Sequence, residues 1–124
     1  MKISELKNAP QWLIDADTLN ADVVWNGDII QWCDGVWRDG VWCDGVWCGG
    51  EWRGEKLTQP LIFLSGLKWV IQISDTRMQI GCELHAFADW AGFDDARIVK
   101  MDRGALKFWR ANKAALLALC EARP

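Results

Sequence analysis

Between residues 31 and 55 the pattern of apolar and polar positions repeats every five residues: QWCDG, VWRDG, VWCDG, VWCGG, EWRGE. Trp32, Trp37, Trp42, Trp47 and Trp52 hold the second place of every unit, and glycine follows three residues later in the first four. The places beside tryptophan admit charge. Gln31, Val36, Val41, Val46 and Glu51 precede it; Cys33, Arg38, Cys43, Cys48 and Arg53 follow it. Neighbours along a strand point to opposite sides, so this pattern sends the indoles one way and their neighbours towards water. Asp34-Gly35, Asp39-Gly40 and Asp44-Gly45 are turn dipeptides, glycine accepting a positive φ and aspartate capping the bend.

Three-residue strands joined by two-residue corners have two solutions. One is a β-solenoid of four sides, about 20 residues to the coil. The other is an antiparallel meander of short Asp-Gly hairpins. Stacked coils cover one another's edges, which free hairpins this short cannot do, so the solenoid is preferred. Beyond Lys56 the pattern changes. Over residues 67–84 apolar and polar positions alternate about a turn at Asp75-Thr76-Arg77, predicting a β-hairpin. Two helices follow, about 94–101 and 103–121, with Asp94 and Asp102 as N-caps. The expected fold is mainly β with an α+β cap: a Trp-rich repeat domain over 1–58 and a capping domain over 59–124 that covers the last coil.

The stretch before the repeat, ADTLN ADVVW NGDII, sets Ala16-Asp17 and Ala21-Asp22 five residues apart. Here the chain resembles the pentapeptide-repeat family, with Ala16 before Thr18, Ala21 before Val23 and Gly35 before Trp37 as its small-then-large pairs. Tryptophan stands where that family carries leucine or phenylalanine, and the spacing slips by one residue between Val23 and Trp32. The resemblance implies a right-handed, four-sided β-helix over about 40 residues. The W-x-x-G-x units, the "MQIGCELH" segment and the "FW" of the last helix also look like small proteins of phages and prophages.

Charge is unevenly spread. The net of −3 divides into −5 over residues 1–60 and +2 over residues 61–124. An acidic repeat is a poor phosphate-binding surface, so no direct nucleic acid is expected; it suits a partner with a basic face. No segment has the pattern of a signal peptide or the length of a bilayer span, so no membrane is expected. Five cysteines, an odd number, read as reduced thiols in a cytoplasm.

Ten tryptophans accompany no tyrosine. The ladder Trp32, Trp37, Trp42, Trp47, Trp52 reads either as the core of the coil or as an aromatic contact strip. Taken as a contact face, it is joined by Asp34, Asp39, Asp44, Arg38 and Arg53. Lys100, Arg103, Lys107 and Arg110 recur at three- and four-residue steps and form a possible second contact face on the last helix. Cys33, Cys43 and Cys48 lack the spacing of a zinc chelate. His85 and Cys82 have no reaction centre around them, and the repeat's aspartates read as turn caps rather than calcium ligands. No cofactor, metal or catalytic residue is expected.

These features point to a non-enzymatic binding protein. By the resemblances it would be phage-encoded and would inhibit a host nucleic-acid-handling or defence protein by surface occlusion, in the manner of a DNA mimic or an anti-CRISPR protein. Two alternatives are a nucleotide or glycan binder using the tryptophans, and a structural module assembling as a homodimer or larger oligomer.

Overall fold

Three units of the repeat, not four, return the chain to its starting side. The computed structural model describes residues 1–26 and 29–123, and the chain divides into two units, residues 1–63 and 64–124. The first holds a short helix α1 (Gln11–Asp15) and two long strands, β1 (Asp17–Asn26) and β2 (Ile29–Asp39). Three two-residue strands follow: β3 (Val46–Trp47), β4 (Glu51–Trp52) and β5 (Glu55–Lys56).

β2 pairs in parallel with β3 and with β4: Gln31 with Val46, Trp32 with Trp47, Val36 with Glu51, Trp37 with Trp52. Each partner lies 15 residues further on. The four-sided return is thereby corrected. Asp-Gly hairpins would run antiparallel, so the meander does not describe these units; among the described residues of the repeat, only the last unit forms such a hairpin, β4 pairing antiparallel with β5 about Arg53-Gly54. The reason lies at the corners. Gly35, Gly40, Gly45 and Gly50 all take positive φ, from +92° to +113°, a conformation closed to most other residues. Three such bends suffice to bring the strand back beneath itself.

The stretch ADTLN ADVVW also departs from expectation. It forms β1, antiparallel to β2, with Val23 opposite Trp32 and Thr18 opposite Trp37. Register shifts between Asp17 and Thr18, Leu19 and Asp22, and Asp22 and Val23 let this strand follow a cornered partner. Gly27 and Asp28 of the same stretch lie outside the described residues.

The five indoles are the core of this unit, each 1% exposed or less. Trp32, Trp37 and Trp42 meet edge to face, with centroids 5.7, 5.8 and 6.4 Å apart. Trp47 stacks on Trp32 at 4.9 Å, the planes 10° apart. Trp12 from α1 closes against Trp42 at 5.2 Å and Trp37 at 6.4 Å. Burying an indole removes roughly 200 Å² from water, worth up to about 5 kcal/mol each, so this interior dominates the unit's stability.

β6 (Ile62–Leu64) spans the division between the units. In the second unit β7 (Ile71–Ile73), β8 (Arg77–Ile80) and β9 (Glu83–Ala86) form an antiparallel meander. Helices α2 (Phe87–Gly92), α3 (Asp95–Val99) and α4 (Ala105–Glu121) complete it. The third strand and α2 go beyond the expected hairpin and two helices. α4 buries Ala105, Phe108, Trp109, Leu116 and Cys120, an apolar stripe at helical spacing. Asp94 caps α3 through the Arg97 amide at 2.8 Å. Asp102 does not cap α4. Gly104, at φ +83°, holds that position, and Asp102 contributes only its carbonyl, to Ala105 N–H. The whole is a mixed α+β fold with two sheets.

Candidate functional site

Each corner aspartate is fixed by the bend it caps. Oδ1 of Asp34, Asp39 and Asp44 accepts the N–H of the following glycine at 2.8, 2.9 and 2.8 Å. The short loop leaves all three carboxylates exposed. Strand β1 adds two more, because Asp22 pairs with Asp34 and Asp17 with Asp39 across the β1–β2 ladder. Acidic side chains therefore gather at two corners of the sheet, a juxtaposition the five-residue period alone did not reveal.

Part of this charge is answered locally. Arg38 reaches Asp17 at 2.9 Å, and Asp22 takes the Met1 amino group at 2.8 Å. Arg53 reaches Asp39 at 3.1 Å, donates to the Gly40 carbonyl at 3.0 Å and lies over the Trp52 ring at 5.6 Å. Arg53 is half-buried, so it binds the frame together rather than reaching outward. The amide of Gly40, and then Arg53, hold the Asp39 carboxyl below its usual range. Asp34 and Asp44 carry no ion pair among the described residues.

The tryptophans are a correction. Trp32, Trp37, Trp42, Trp47 and Trp52 are sealed inside the first unit and offer no ring to a partner, a base or a sugar. The side chains beside them in sequence form the surface instead. Val41 and Val46 are exposed there, along with Arg38 and Cys48, and Leu19 and Val24 are exposed on β1.

The second expected face is also altered. Lys100 ends α3 and Arg103 lies between the helices, so only Lys107 and Arg110 of the four are on α4. All four are exposed, but Arg110 is paired with Asp95 at 2.6 Å. The continuous helical stripe does not exist, because Gly104 breaks the helix.

Two of the thiols, Cys33 and Cys48, are neighbours across the β2–β3 pairing. Cys33 and Cys48 follow the paired Trp32 and Trp47, and the Gln31 side chain donates to Cys48 Sγ at 3.0 Å. Burial, then the charges of Asp22 and Cys48, push the Cys33 thiol up. His85 lies 2.9 Å from Glu83 and packs edge-on against Trp90 and Phe93. Among the described residues no three His, Cys, Asp or Glu side chains are grouped to hold a metal ion. Among them, too, no helix is long and apolar enough to cross a membrane. Compared with known proteins, the chain matches no family model, no curated protein and no solved structure.

Proposed function

We propose that residues 29–57 form a short three-sided β-solenoid whose outer surface is a non-enzymatic binding face for a basic protein surface. The single observation that carries this reading is the set of exposed corner carboxylates Asp34, Asp39 and Asp44, each held by its own glycine amide. A rigid array of carboxylates costs little entropy to dock and offers a partner the charge sign of a nucleic-acid backbone. A host nucleic-acid-handling or defence protein, blocked by occlusion in the cytoplasm of a phage-infected cell, is the partner class that suits such a face. The fold-level analogy adds only weakly to this.

The test is a triple substitution, Asp34→Asn with Asp39→Asn and Asp44→Asn. Asparagine retains the side-chain oxygen that caps glycine, so the frame is kept while three charges are removed. The intact chain should capture a nucleic-acid-binding protein from host lysate and displace its nucleic acid in a salt-sensitive manner. The triple variant should lose about tenfold or more in affinity. Equal capture by the two chains, or captured proteins that keep their nucleic acid, would rule the reading out.

A further inference from the structure

The second unit holds a cavity of about 50 Å³ whose walls are chiefly Trp69, Trp90, Phe108 and Trp109, with Ile98 and Met101. Trp109 is 3% exposed, and its indole nitrogen is buried with no acceptor among the described residues. Trp90, on the same cavity, is satisfied: its N–H donates to the Met78 carbonyl at 2.7 Å. A buried donor left without an acceptor costs about 1–3 kcal/mol, so an acceptor bound beside Trp109 would remove a standing penalty.

Size and charge narrow the ligand. A water needs roughly 10–15 Å³ on this scale, so the cavity takes a group of about three or four heavy atoms. Its charged lining residues are Glu83 and Asp102, which disfavour an anion. Glu83 is already engaged by His85 at 2.9 Å and Arg97 at 3.7 Å; Asp102 has no ion pair among the described residues. A cation is also poorly matched. Lys68 Nζ already lies over the Trp69 ring at 4.7 Å, and the unpaired indole donor repels a second positive charge. What remains is a small neutral group with an acceptor for the indole, a methyl for the apolar wall and a donor for a carboxylate.

We propose that this cavity binds the acetamido group of an N-acetylated amine. The carbonyl oxygen takes the Trp109 N–H, the methyl packs against Ile98 and Met101, and the amide N–H meets the Asp102 carboxylate. The rest of the ligand stays outside, so an N-acetylhexosamine and an acetylated lysine side chain present the same chemistry. This site is independent of the acidic face of the first unit.

The test follows the Trp109 indole N–H resonance by heteronuclear NMR of the full chain, assigned by its loss in Trp109→Phe. The probes are N-methylacetamide, N-acetylglucosamine and an acetyl-lysine amide, with glucosamine and lysine amide as deacetylated controls. The acetylated probes should shift the resonance saturably and the controls should not; the tighter of the two larger probes identifies the source. Read through other cavity resonances, Trp109→Phe should weaken binding about tenfold, one hydrogen bond's worth. Ala105→Leu, which fills the cavity from α4 and keeps the indole, should abolish it. No saturable shift, equal shifts from the deacetylated controls, or unchanged binding in Ala105→Leu would overturn the assignment.

Discussion

Trp37 and Trp47 carry the same ring into the same interior but differ in what their nitrogen meets. Trp37 donates to the Gly40 carbonyl at 3.2 Å, whereas the buried Trp47 nitrogen has no acceptor among the described residues. Phenylalanine at either place loses similar area, but at 37 it also removes a formed hydrogen bond, leaving the Gly40 carbonyl with Arg53 as donor. Trp37→Phe should therefore destabilise by about 1 kcal/mol more than Trp47→Phe in denaturant titrations. Glycines divide in the same way. A Cβ on Gly35, at φ +110°, would stand 2.6 Å from the Asn20 carbonyl oxygen, while Gly54, at φ +82°, has nothing within 4 Å. Gly54→Ala should cost about 1 kcal/mol from its backbone alone. Gly35→Ala adds a clash with strand β1 and should cost several times that, read as a much lower denaturation midpoint.

At the scale of elements, the residues that take positive φ decide where each strand bends. The five-residue period and the inward side of the tryptophans were legible because side-chain alternation is local. The number of sides was not, since it depends on how sharply each corner bends and on what fills the centre. The segment over 16–26 shares the spacing of the repeat but has no glycine where the cornering units carry one. Asn20 stands in that place at φ +53°, and the register shifts beside it let the segment pair with β2 as an antiparallel neighbour. In the second unit Asp94 was readable as a cap because its hydrogen bond is three residues long, and Asp94→Ala should lower thermal stability by about 1 kcal/mol. The cap of α4 differs from the expected Asp102. A glycine in the left-handed conformation replaces an aspartate side chain there, and the basic residues before it fall outside the helix. The cavity around Trp109 leaves no mark in the sequence for a related reason: its walls come from residues 69 to 109, which share no period.

For the whole molecule, burial and charge set opposite pH limits. Burial pushes the Cys120 thiol up to about 11, from an ordinary value of 9.0. The folded state thus favours the neutral thiol, and its contribution is intact below pH 9. It is lost as pH climbs towards 11, where the unfolded chain ionises first. Denaturant midpoints should fall between pH 9 and 11, and Cys120→Ala should flatten that part of the profile. Asp39 acts at the other end: its depressed carboxyl pKa adds stability above the ordinary carboxylate range that fades as the solution is acidified through the folded value. The return after three units has a last consequence, for heredity. Insertion of a whole pentad in this stretch would bring its own bend and its own indole, and deletion would remove both. A gain of three would lengthen the body by one storey and leave every vertical neighbour in place, so a lineage could change the reach of its acidic flank without redesigning the interior.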